Sequence, residues 1–192
     1  MNLLRWLRVR RSTGGNAELE EWRRRWQSAA ATPQPDALAS LLADLNGLSL
    51  PEEEIEVERE MLEGLEHLAR LHAVISSEGL PVVETGHRVV GAETCHFSAP
   101  SSMPDDPAQP TGRLIFTGLR AIFAGGARAM TLPWHAVADV IRQERDVILV
   151  RHNREVFHRF RCNVFADALC AGHLAETLAK EMRSGARIRQ SP

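Results

Sequence analysis

The side chains best suited to chemistry in this chain are its three cysteines and eight histidines. Cys170 and His173 stand three apart, a spacing that puts two donors on one helix face, and Cys95 and His96 are adjacent. A structural zinc needs four such donors converging on a tetrahedron. Placed in a strand, Cys95 and His96 point to opposite faces and do not close a second pair. Cys170 beside Leu169, and Cys162 at the entry to the last helix, read as small core residues. His67 and His72 are five apart and share a helix face poorly, while His152 and His158 are placed to face each other across a hairpin at Asn153-Arg154. His87 and His135 have no carboxylate at a telling spacing. A G-x-S-x-G elbow and a phosphate-cradling G-x-x-x-x-G-K loop are both missing from the sequence. No metal, no cofactor and no catalytic group are expected. The chain reads as a non-catalytic protein that binds.

With 192 residues, the chain fits one domain plus extensions or two small domains. Hydrophobic residues at 44% and charged residues at 25% allow a packed core and exclude global disorder. Three scattered cysteines are no disulfide framework, so a reducing, cytoplasmic setting is expected. No apolar run approaches the ~18 residues of a membrane span.

Charge is divided into blocks. Residues 1–30 carry a net +4, residues 31–110 a net −12 and residues 111–192 a net +6. Such a division suits an anionic partner for the basic blocks, an internal clamp of acid on base, or simply solvated faces.

Met1 to Arg11 is amphipathic as a helix, with Leu3, Leu4, Trp6 and Leu7 apart from Arg5, Arg8 and Arg11. Ser12-Thr13-Gly14-Gly15-Asn16 breaks it. A second helix follows over Ala17 to Ala30, with Trp22 and Trp26 on one face among three arginines. Trp with Arg is the composition of an interfacial membrane helix, and equally of a terminus docked on its own domain. In the membrane reading Leu3, Leu4, Trp6 and Leu7 insert, Trp22 and Trp26 sit at headgroup depth, and Arg5, Arg8, Arg10 and Arg11 attract anionic lipid.

Thr32-Pro33-Gln34-Pro35 is a linker. Asp36 caps a short helix, Ala37 to Leu45, ended by Asn46-Gly47. Pro51 then opens a longer helix reaching Ser76, with acidic residues in its first turn. Val57, Met61, Leu65, Leu68, His72 and Ile75 form one stripe on it. That stripe either packs on the following domain or joins two protomers.

From Gly79 the period changes to two. Strands are expected over Thr94–Ala99, Arg113–Thr117, Arg120–Ala124, Arg128–Leu132, Val137–Gln143, Val147–His152 and Glu155–Cys162. Thr117-Gly118-Leu119 and Gly125-Gly126 supply turns, and Pro100 to Pro110 forms a mobile insert. The final helix has Asn163 as its cap and Gly185 just past its end, and residues 186–192 are expected to be loose.

Three segments carry a family resemblance: Gly91-Ala92-Glu93-Thr94-Cys95-His96-Phe97, Gly112 to Phe123, and Thr131-Leu132-Pro133-Trp134-His135 through Val140. With seven strands and a closing helix, residues 88–183 resemble the pleckstrin-homology (PH)-like superfamily, in its GRAM and bacterial PH-like branch. The resemblance implies an α+β fold: a helical N-terminal region, then a seven-stranded antiparallel half-open barrel capped by a C-terminal helix. It also implies a binding module for phosphoinositides or protein segments. The family's lipid site gathers basic residues on the first two strands and their loop. Here that loop holds Asp105 and Asp106, and only Arg88 and Arg113 are near. A different basic patch is available on the last strands, from Arg142, Arg145, Arg151, Arg154, Arg159 and Arg161.

The expected organisation is therefore residues 1–31 as basic helices, 32–80 as an acidic helical region, 81–185 as the barrel and 186–192 as a tail. The expected function is a PH-like binding or scaffold module, acting in the cytoplasm on a protein partner or on anionic lipid at the inner membrane face. The alternative is a homo-oligomeric structural protein assembled through the stripe of the 51–76 helix. Nucleic acid is disfavoured by a sequence pI near 6.5 and by the lack of aromatic residues interleaved with basic ones on the strands.

Overall fold

A computed structural model describes residues 15–32, 35–48, 50–125, 129–153 and 155–188. The expectations for Leu3, Leu4, Arg5, Trp6, Leu7, Arg8 and Arg154 lie outside the described residues. The chain divides into two compact units, residues 1–62 and 63–192, and the division falls within a helix. This corrects the expected boundary near residue 80. Leu71, Ile75 and Leu80 pack against the core of the second unit, because the apolar stripe continues past the acidic half of that helix.

In the first unit, α1 (Gly15–Ala31) and α2 (Pro35–Gly47) precede a single 3-10 turn at Glu52–Glu54 and the start of α3 (Glu56–Glu78). Two tryptophans organise it. Trp22 donates its indole N–H to the carbonyl of Leu41 at 2.8 Å, and Trp26 donates to the carbonyl of Met61 at 2.7 Å. They are 2% and 4% exposed. The expected membrane contact of Trp22 and Trp26 is therefore corrected, since both rings are inside and each polar tip has a protein partner. Glu58 is also fully buried, and its Oε1 accepts from Arg23 Nε at 2.7 Å.

On α3 the buried face runs through Glu58, Met61, Leu62, Leu65 and Leu68, with Ile55 buried just before it, while Val57 is 47% exposed. The helix starts one turn later than expected, after Ile55 leaves helical geometry at φ −117°. Met61, Leu65 and Leu68 are buried, whereas Val57 and His72 of the same stripe are exposed.

The second unit is one seven-stranded antiparallel sheet of β1 (Cys95–Ser102), β2 (Thr111–Thr117), β3 (Arg120–Gly125), β4 (Met130–Pro133), β5 (Val137–Gln143), β6 (Asp146–Arg151) and β7 (Val156–Cys162). The spatial order is β4-β3-β2-β1-β7-β6-β5, so β4 and β5 are the outer strands and the sheet does not close. β1 meets β7 only at Ser101–Cys162 and Ser102–Arg161, and there the two halves of the sheet part. The concave side is filled by Phe97, Leu114, Phe116, Phe123, Leu149 and Phe160, and α4 (Phe165–Ile188) lays Ala168, Ala171, Ala175 and Leu178 over them. Alanines on that face let the helix sit close to the strands.

Trp134, in the turn between β4 and β5, is wholly buried, and its indole donates to the carbonyl of Thr117 at 2.7 Å. Gly112 faces the backbone of Ala124 so closely that a side chain there would strike it. Two expectations are revised. The insert is shorter, since Pro100 to Ser102 belong to β1 and Met103 N–H closes the loop on the carbonyl of Pro110 at 3.1 Å. The last helix also continues through Gly185 to Ile188, because no left-handed residue stops it at Gly185.

Candidate binding surfaces

Arg142, Arg145, Arg151, Arg159 and Arg161 were the described members of the expected basic patch, and the fold gives each a partner of its own. Antiparallel register sets Asp146 directly across from Arg161, with Arg159 two residues along on the same face. Asp146 is almost fully buried. Its Oδ1 accepts from Arg161 Nε at 2.8 Å, and its Oδ2 from Arg159 Nε at 2.7 Å. The bond to Asp146 pushes the Arg161 guanidinium above its usual range. Arg142 lays its aliphatic stem over Gly172 on α4 and meets Glu176 at 3.4 Å. The guanidinium of Arg145 lies 5.0 Å from the ring centre of Phe165, and that of Arg151 lies 4.7 Å from that of Phe157. Asp146, Arg159 and Arg161 form a charge-paired belt on β6 and β7, while Arg145 and Arg151 rest on aromatic rings. Asp146 escaped sequence reasoning because its partners emerge only when the hairpin register is known.

The expected donors of the cysteine and histidine set do not converge either. Cys95 is buried and His96 half-buried on alternate sides of β1, where His96 Nδ1 lies 2.7 Å from the carbonyl of Pro81. Burial pushes the Cys162 and Cys170 thiols up to about 12, so both are unreactive core groups. His152 and His158 do not meet: His152 lies 3.1 Å from the carbonyl of His135, and His158 packs on Phe157. Among the described residues no three His, Cys, Asp or Glu side chains gather for a metal ion. One pairing was not anticipated. His72 on α3 and His173 on α4 hold their ring centres 5.5 Å apart.

Among the described residues, two concavities bear on ligand binding. The larger, about 580 Å3, lies between the Val90–Thr94 segment and the β2–β3 turn, with His96 and Leu119 on its wall. Its charged pair is spoken for. Glu93 accepts from Arg120 Nη2 at 2.6 Å and from the Thr117 hydroxyl at 2.5 Å, which pins the turn.

The smaller, about 180 Å3, runs between outer strand β5 and α4, lined by Val137, Asp139, Val140, Glu176, Lys180 and Arg183. An outer strand carries a row of backbone groups with no strand beside it. Here side chains cover part of that row. Arg183 donates to the carbonyl of Ala138 at 3.0 Å, and the Val140 N–H donates to Asp139 Oδ1 at 2.8 Å. Burial raises the Glu176 carboxyl above its usual range despite the opposing effect of Arg142. Ile141 is exposed on the same strand.

No family model matches the chain, and no curated protein matches it. Among solved structures that resemble it is the C-terminal domain of an unknown protein from Leishmania infantum. It is 16% identical, with a TM-score of 0.40 over 47% of this chain and 88% of that one.

Proposed function

We propose that this chain is a non-catalytic PH-like binding or scaffold module whose ligand is an extended segment of a partner protein, taken up in the cytoplasm along β5 beside α4. The observation that carries this reading is the β5 edge. Its carbonyl at Ala138 accepts from the Arg183 side chain and its N–H at Val140 donates to the Asp139 side chain, beside a cleft that Val140 lines. Side-chain caps of this kind exchange readily for main-chain bonds. An added strand gains affinity from those bonds and specificity from pockets for alternate side chains.

The strand order and the C-terminal helix support the PH-like assignment, since Gly112 to Phe123 forms the β2–β3 hairpin and Thr131 to Val140 spans the β4–β5 turn. A protein ligand is favoured over lipid by two features. The described arginines of the expected patch are turned to internal partners, and Trp22 and Trp26 are buried. No described helix is long and apolar enough to cross a membrane.

The test is selection of peptides from a random display library on the full chain, followed by affinity measurement against the wild type and Lys180→Glu. Peptides that bind in extended form and lose affinity to the variant support the reading. Failure to select any peptide, together with pelleting of the full chain on anionic but not neutral vesicles, would transfer the function to a membrane surface.

A further inference from the structure

The His72–His173 pair lies in neither concavity, and its geometry has its own consequence. The two residues sit on different helices. Gly64 of α3 lies against Phe165 and Ala166 of α4, where an added Cβ would come within 3.1 Å of both. Eight residues further along α3 is His72, and eight residues beyond Phe165 on α4 is His173. At 1.5 Å per residue both steps are about 12 Å, so this half of α3 and α4 run side by side in the same direction. Leu71 and Ile75 then hold the end of α3 on the core that α4 covers. Close packing at one end and the core at the other fix the spacing of the two imidazoles.

That spacing suits one ion. Two imidazoles on a tetrahedral metal, with metal–nitrogen bonds of about 2.0–2.1 Å, have ring centres about 5 Å apart. The observed separation is 5.5 Å with the planes tilted by 44°. His72 is exposed and His173 half-buried, so an ion and its remaining water ligands have access. Glu176, one turn beyond His173, adds a carboxylate to the surroundings, and the charge of Arg142 is directed at that carboxylate. Cys170, one turn before, packs in the core and is not a donor.

We propose that His72 and His173 form a two-histidine site for a late first-row divalent cation, Zn2+ in the first instance, that bridges α3 to α4 with water completing the coordination. Imidazole donors suit zinc, copper and nickel, whereas magnesium and calcium take oxygen ligands. The inference does not depend on the peptide-binding reading.

The test is titration of the full chain with ZnCl2 by calorimetry, alongside His72→Gln and His173→Gln, with MgCl2 as control. Both rings reach the surface, so the metal-free variants are expected to melt like the wild type, which a thermal scan checks. The expected result is one Zn2+ per chain, a rise in the thermal midpoint with Zn2+ that neither variant shows, and at least tenfold weaker binding in each. No uptake by the wild type overturns the proposal. So does a variant that binds as tightly as the wild type, because the ion then sits on other histidines.

Discussion

Arg183, near the end of the last helix, donates to the backbone carbonyl of Ala138 on the outermost strand at 3.0 Å, and a second contact reaches the carbonyl of Val137 at 3.5 Å. The guanidinium thus stands where the N–H groups of an added strand would come. Removing it separates edge protection from ligand contact. A net hydrogen bond is worth about 0.5–1.5 kcal/mol, so Arg183→Ala is expected to tighten a selected peptide by roughly 2- to 10-fold. Fluorescence polarisation with labelled peptide reads this directly. Weaker binding would mean that Arg183 holds the ligand instead of guarding the edge.

Asp146 is the hub of the belt on β6 and β7, and it is buried while its two arginines are partly exposed. Breaking a buried pair from one side costs about 3–5 kcal/mol, and the partial exposure of Arg159 and Arg161 lowers this. Asp146→Ala is expected to cost about 2–3 kcal/mol in urea unfolding, with Asp146→Asn falling between it and the wild type. A loss within 0.5 kcal/mol would show that the belt is ornamental to stability.

Trp26 and Met61 are joined by an indole N–H to carbonyl bond inside the helical unit. Trp26→Phe keeps a ring there but removes this bond, at an expected cost of about 0.5–1.5 kcal/mol. Anionic vesicles are expected to leave the emission of Trp22 and Trp26 unchanged in a Trp6→Phe background. A blue shift on adding vesicles would return these rings to the membrane.

Burial lowers the pKa of His158, and burial together with His72 and Arg142 lowers that of His173. The unfolded chain, near the ordinary value of about 6.5, then binds more protons than the folded one. Their share of stability is complete above about 6.5 and falls as the pH drops through it. Asp167 and Glu176, raised by burial, act in the opposite sense and lose stability as the pH rises through their folded values. The urea midpoint is therefore expected to fall between about pH 7.5 and 5.5, and less steeply in a His158→Gln/His173→Gln double variant. An equal slope in both would place the pH dependence elsewhere.

Much of the sheet was legible because strands alternate with period two between turn residues, and Val137–Gln143 is found with the boundaries expected from that alternation alone. The fate of Trp22 and Trp26 was not. An amphipathic Trp-rich helix has the same composition against lipid or against protein, and only the carbonyls of Leu41 and Met61 decide. The stripe on α3 holds at Met61, Leu65 and Leu68 and fails at its N-terminal end, where Val57 is exposed and Glu58 is buried. Asp146, the β5 edge and the His72–His173 pair depend on register, strand order and helix packing. None of these leaves a local periodic signal.

The central claim is that ligand is taken along β5 beside α4. Backbone amide chemical-shift mapping of the full chain with a selected peptide tests it most directly. The account predicts shifts concentrated on Val137–Gln143 and on residues 176–183, with new protection of the outward β5 amides from exchange. Shifts confined to the Glu93–Arg120 cleft or to residues 1–31, with β5 unchanged, would contradict it.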